Sequence, residues 1–330
     1  MVSLIPLVRN EVLKIWKKKR FFVILAILLV LIPIFTYAQF KVATNLQDQI
    51  GSDDWKIQLQ EKVNDYTDRI NSPRMLPEWK EYLKVQIQIM QYHIDSDVNP
   101  ESPNGVTFTR EFLKNSVGLF LPLMILVIAS DLISSEHAQG TIKLLLTRPV
   151  RRWKVLTSKL LALMLYVSLS VIALVTLSYV IAGAVFGFSG WNMPVLTGFQ
   201  VVGDTVDTSM VQLVDQWQFI LMEMGLAWYS SLVVGILAVM VSILIRSTAA
   251  GMGIMLATLI AGTILTNMAS SWESAKYFFM VNLETVIYLT GQKPPIAGMD
   301  LGFSLSILTM TAAVSILISY LFFTKKDILN

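Results

Sequence analysis

Arg20-Phe-Phe-Val-Ile-Leu-Ala-Ile-Leu-Leu-Val-Leu-Ile-Pro-Ile-Phe-Thr-Tyr-Ala-Gln-Phe-Lys41 is the stretch that decides the fold. Between its charged ends stand 20 uncharged residues. A helix rising 1.5 Å per residue needs about 20 such residues to cross the hydrocarbon of a bilayer. The interval recurs along the 330-residue chain. Uncharged runs of 22, 26 and 24 residues separate Glu223 from Arg246, Arg246 from Glu273, and Asp300 from Lys325, and 44 separate Lys159 from Asp204. The chain is 54% hydrophobic and 15% charged, with mean hydropathy +0.60. A soluble domain carries roughly 25% charge, so the sequence reads as an all-α, polytopic membrane protein.

Six spans are expected, over 21–40, 113–134, 156–188, 218–245, 248–270 and 302–323. The third exceeds one perpendicular crossing, so it tilts or ends near Gly183 and Gly187. Basic residues set the orientation. Lys14, Lys17, Lys18, Lys19 and Arg20 precede the first span, and Lys143, Arg148, Arg151, Arg152, Lys154 and Lys159 lie between the second and third. Arg246 separates the fourth and fifth, and Lys325 and Lys326 follow the sixth. The loop 189–217 has no Lys or Arg but holds Asp204, Asp207 and Asp215. Both termini, 1–20 and 324–330, are therefore expected in the cytoplasm. The first apolar run has the length of a full span and no small-residue cleavage site follows it, so no cleavable signal peptide is expected.

That orientation puts the hydrophilic insertion 41–112 outside. Two helices are predicted in it, about 45–71 and 77–95, with a turn between Asn71 and Pro77. It serves either as a substrate-facing cap or only as packing for outer loops or a partner. The aromatic-rich stretch 271–301 suits the outer interface, as short helices dipping into the leaflet or as a plain loop.

Catalytic signatures are missing. There is no Gly-x-x-x-x-Gly-Lys-Ser/Thr loop for phosphates and no His-Glu-x-x-His. Cysteine is absent, and the two histidines, His93 and His137, are far apart and read as solvated. No metal site, no enzyme activity and no nucleic-acid partner is expected. Two intramembrane acidic candidates remain, Asp131 and Glu223, both near span ends, where an interfacial carboxylate in reach of water is the alternative. Gly183-x-x-x-Gly187 and Gly298-x-x-x-Gly302 permit close helix packing.

The densest pattern lies in the connection 135–155. Thr141 can cap a short helix, Ile142 to Leu146 gives it an apolar face, and Pro149 stops it. Leu144, Leu145 and Leu146 fit a hydrophobic groove on another protein, or lie flat among lipid headgroups. Arg151, Arg152 and Lys154 then lead into the third span. Before the first span, Ile5, Val8, Val12, Ile15 and Trp16 recur at helical spacing with Arg9, Asn10, Lys14 and Lys17 between them. Such a helix lies on the membrane surface, anchored by Trp16, Lys17, Lys18, Lys19 and Arg20.

The pattern Glu136-x-x-x-Gly140-Thr141-x-x-x-Leu145-Leu146-x-x-Pro149-Val150-x-Arg152, followed by Lys159-Leu160, resembles the loop after the second span of ABC-2-type transporter permeases. The six spans, internal termini, basic N-terminal helix and external insertion after span one are similar to the same family. The resemblance implies a type V exporter-like permease architecture in a bacterial plasma membrane. It implies that Glu136, Gly140, Thr141 and Pro149, with Leu144, Leu145, Leu146, Arg151 and Arg152 around them, contact a separate ATPase subunit. Two ATPase copies, carrying the ATP and Mg, and a second permease, identical or homologous, would complete the unit among membrane lipids. The chain itself needs no cofactor. The expected function is ATP-driven export of an amphipathic or lipid-like substrate, such as an antimicrobial peptide or drug. The alternative is a non-transporting module that does mechanical or signalling work on an extracytoplasmic partner.

Overall fold

Five helices of the computed structural model are long and apolar enough to cross a bilayer, and a bent pair makes a sixth if counted as one span. The structure describes residues 3–50, 54–73, 75–138, 150–245, 247–268 and 272–325. The chain is a mostly helical, multi-pass membrane protein. In order, its helices are α1 (Leu4–Lys17), α2 (Arg20–Ile50), α3 (Trp55–Ile70), α4 (Pro77–Asp95), α5 (Gly105–Val117), α6 (Phe120–Ala129), α7 (Asp131–Ala138) and α8 (Arg152–Phe186). They continue with α9 (Gln216–Ile245), α10 (Thr248–Met268), α11 (Ile287–Thr290) and α12 (Leu301–Lys325).

Helix α2 overruns the expected span. No Gly or Pro interrupts 34–50, so the helix passes Lys41 and continues to Ile50. Consequently α3 starts only at Trp55, capped by the Asp54 carboxylate, which accepts from the Lys56 amide. Helix α4 begins with Pro77 in its first turn, where a missing N–H costs nothing.

The bent helix pair that stands where the second span is expected departs most from expectation. It begins at Gly105 rather than near 113 and breaks at Gly118–Leu119, where the axes of the α5 and α6 segments differ by 61°. The charges Arg110, Glu111 and Lys114 hid this helix from a hydropathy reading. They pair along α5 itself, and ten of its thirteen residues are buried against neighbouring helices. Two glycines make the fit. A Cβ on Gly105 would stand 2.7 Å from the Gly183 Cα of α8, and the Gly105 amide donates to the Gly187 carbonyl at 2.9 Å. At Gly118 a Cβ would occupy the space of the Glu284 side chain, which lies over the helix break. Gly183 thus does pack helices and Gly187, just past the end of α8, supplies the acceptor carbonyl, whereas Gly298 stands in a turn at φ 80°.

The expected loop 189–217 contains strand. β1 (Pro194–Thr197) pairs antiparallel with β4 (Gln212–Asp215), and inside them β2 (Gln200–Val202) pairs with β3 (Thr205–Asp207). Gly203, at φ 67°, and Asp204 form the two-residue turn, so the all-α reading needs this correction. The inner hairpin docks on α4. Gln88 donates to the Asp204 carbonyl at 2.7 Å and accepts from the Val206 amide at 3.0 Å, and Lys84 pairs with the Asp204 carboxylate. Val85, Ile89, Val98, Leu196 and Phe199 close an apolar centre between them. His93 of α4 belongs to this unit of helix and hairpin and is buried, not solvated. Its Nδ1 lies 3.1 Å from the Val98 carbonyl, and burial pushes its pKa down. The stretch after α10 forms 3-10 turns over Glu273–Tyr277 and Phe279–Asn282 before α11.

Candidate functional site: an ionic bracket at the α1 end of the helices

Helix α1 carries its apolar residues at helical spacing, but Glu11 falls on the same inward face as Ile15, and both are buried. A carboxylate there must find partners or forfeit several kcal/mol of solvation. Its principal partner comes from α8. Lys159, with no exposed surface, donates to Glu11 Oε2, Glu136 Oε1 and the Leu132 carbonyl, each at 2.8 Å. An ammonium has three N–H groups, so all three are used. Lys14 spans the same two carboxylates, 2.8 Å from Glu11 Oε1 and 2.8 Å from Glu136 Oε1. Two acids and two lysines thus balance in charge across α1, α7 and α8. Burial alone would raise the Glu136 carboxyl, but Lys159 and then Lys14 outweigh it and hold the pKa below its ordinary value.

A second pairing flanks the first. Asp131, at the start of α7, accepts from Lys18 at 2.8 Å and from Arg20 at 3.1 Å, and Arg20 Nη1 reaches the Val127 carbonyl of α6. Lys19, between α1 and α2, takes the left-handed conformation at φ 56°. This turn lets α1 fold back against α8, where the Tyr166 hydroxyl donates to the Val12 carbonyl at 3.0 Å. A serine knot joins the next helices. Ser242 of α9 accepts from the Ser134 amide and donates to the Ser130 carbonyl, while Ser134 meets Thr248 of α10 at 2.7 Å.

The structure redistributes the residues singled out from sequence. Glu136 does not face outward as a docking contact. It is buried in the bracket, and its helix is held to α1 and α8. Lys18 and Arg20, expected as anchors to lipid, pair with Asp131 instead. Trp16 remains half exposed, edge-on to Phe22 at 4.7 Å, and Lys17 and Lys19 are exposed. Arg151 is exposed, whereas Arg152 donates to the Thr324 carbonyl of α12 at 3.3 Å. Gly140, Thr141, Leu144, Leu145, Leu146 and Pro149 lie outside the described residues. Glu223 is not in this group. It is fully buried near the other end of α9.

Sequence reading missed Glu11 and took Lys159 only as an orientation charge and the end of the family pattern, not as a buried partner. Their signal was present: an acid on the apolar stripe of an amphipathic helix, and a lysine inside the apolar run that begins α8. Among the described residues, no group of three or more His, Asp or Glu side chains is placed to hold a metal ion.

The profile of a family described as "Protein of unknown function (DUF2705)" matches residues 81–329. An "Uncharacterized protein YhcI" of Bacillus subtilis (strain 168) is 26% identical over 330 residues, 99% of this chain and all of that protein. An "Uncharacterized membrane protein YdbK" of the same organism is 26% identical over 215 residues, 64% of this chain and 80% of that protein.

Proposed function

We propose, for this chain, which belongs to the DUF2705 family, the role of membrane-spanning permease subunit in an ATP-driven exporter of the ABC-2 type. The observation that carries the proposal is the bracket. The loop 136–150, which resembles the ATPase-contacting loop of those permeases, is preceded by α7, which carries Glu136, and followed by α8, which carries Lys159 two turns in. Both ends are tied through Glu11 and Lys14 to α1. A force applied to that loop is therefore delivered to the first, second and third spans together. A partner biases a membrane protein only through contacts that differ between its states, and rigid ties at the loop's base are what such transmission needs.

In this reading the bent pair α5–α6 counts as one of six spans, both termini are cytoplasmic, and the membrane is the bacterial plasma membrane. Two copies of a separate ATPase supply ATP and Mg, and a second permease, identical or homologous, completes the complex. An amphipathic or lipid-like substrate, including peptides and drugs, suits helices whose faces are apolar and small-polar. A second reading, mechanical or signalling work on an extracytoplasmic protein, is favoured by the tip of the cap. There Leu76 and Trp79 are 61% and 57% exposed.

The test is purification of the tagged chain from its host in mild detergent, with mass spectrometry of what accompanies it. A Walker-containing ATPase is expected with the wild type and not with Leu145→Asp. A wild type that brings down no ATPase overturns both readings. ATP hydrolysis stimulated by lipid-like substrates in liposomes supports the exporter, and hydrolysis that answers only an external protein supports the second reading.

A further inference from the structure

Glu223 lies two turns into α9 with no exposed surface, and neither of its carboxylate oxygens receives a hydrogen bond from any described residue. The charged groups that bear on it, Arg110, Glu111 and Lys114, all belong to α5. Arg110 is also buried, and its bonds go to groups other than Glu223. Nη2 donates to the Pro100 carbonyl at 2.7 Å, with Glu111 Oε1 at 3.5 Å, and the guanidinium lies over the Phe219 ring, 5.7 Å from its centre. Its Nε has no acceptor among the described residues. A buried carboxyl group without a hydrogen bond and a buried guanidinium with its Nε–H unused thus stand on two helices that pack together. The carboxyl group bears its full desolvation cost in this arrangement, and the guanidinium that of one N–H.

Their offset is one helical turn. Phe219 and Glu223 are four residues apart on one face of α9, about 6 Å along its axis. The ring of Phe219 therefore occupies the place opposite Arg110 that Glu223 would take if the helices shifted by that turn. A joint for the shift exists at the lower end of α5, where the helix breaks by 61°. The Glu284 side chain there fills the space left by the missing Cβ of Gly118.

We propose that Arg110 is a two-position latch. In the state seen here it holds the Pro100 carbonyl at the base of the cap, and in a second state of α5 against α9 it pairs with Glu223. The latch links the cap to the membrane helices, and it stands apart from the coupling role assigned to the loop 136–150. A turn-sized exchange of partners between packed helices is a known form of two-state transition.

The experiment is double electron–electron resonance on the full chain in lipid nanodiscs, with spin labels on Asn115→Cys and Leu221→Cys. Both positions are exposed, and the native chain has no cysteine to interfere. Two distance populations are expected. Adding Glu223→Met removes one of them, and adding Glu223→Asp keeps both. Replacing an unbonded buried carboxylate by an apolar side chain leaves the melting midpoint at or above that of the labelled parent, which shows that the variant is folded. A single population in the labelled parent overturns the latch, as do two populations that persist unchanged with Glu223→Met. Either result would leave Arg110 and Glu223 separated by a static gap or a bridging water.

Discussion

Lys159 is wholly buried, and its ammonium spends all three N–H groups on Glu11, Glu136 and the Leu132 carbonyl. Removing one partner from such a buried group strands the others. Lys159→Met is expected to lower stability by about 3–5 kcal/mol, read as a fall in the thermal midpoint in detergent. Adding Glu11→Gln and Glu136→Gln to Lys159→Met should recover most of that loss, because no buried charge is then left over except Lys14 at the rim. A triple variant as unstable as the single one would show that packing, not charge, holds this place. Glu136 also predicts a pH dependence. A carboxyl held low in the fold stabilises it fully above the unfolded value of about 4.3 and loses that contribution as pH falls through the folded value. The midpoint difference between wild type and Glu136→Gln should therefore be constant above about pH 5 and shrink on acidification. A difference that grows in acid would contradict the pairing.

Among the elements, α5 makes the sharpest demand on the sequence. Gly105→Ala sets a Cβ against backbone of α8, which cannot rotate away, so a loss of about 1–3 kcal/mol is expected. The nearest atoms to a Cβ on Gly183 belong to the ring of Phe188, which can turn aside, so Gly183→Ala should cost less. Equal midpoints for the two variants would argue against the close crossing. The long helices were legible because an uncharged run of span length has few other destinations. The start of α5 was not, since hydropathy counts Arg110, Glu111 and Lys114 as charges in lipid and cannot see that they pair with one another. The hairpin was legible in principle. Gly203-Asp204 between Val201-Val202 and Thr205-Val206 is a two-residue turn between β-branched runs, but the absence of basic residues drew the reading toward topology instead. The bracket shows a further limit: Lys159 and Glu11 are 148 residues apart, and no local periodicity carries information over such a distance.

For the whole molecule, the proposed orientation makes a direct prediction. A single cysteine placed at exposed Asp97 of the cap should react in intact cells with a membrane-impermeant maleimide. One placed at Trp16 should react only after lysis. The reverse pattern would invert the topology and remove the loop 136–150 from reach of any cytosolic ATPase. The 148-residue separation also has a consequence in time. A ribosome adds about 5–20 residues per second, so about 7–30 s pass between the synthesis of Glu11 and that of Lys159. Throughout that interval Lys14, one turn along the same helix, is the local counter-charge within reach. The pair of Glu11 with Lys14 is thus one that the chain can make before Lys159 exists. Synthesis of Lys159 adds the buried half of the joint, and until then the ion pairs within reach are those of Lys14 with the two glutamates and of Asp131 with Lys18 and Arg20.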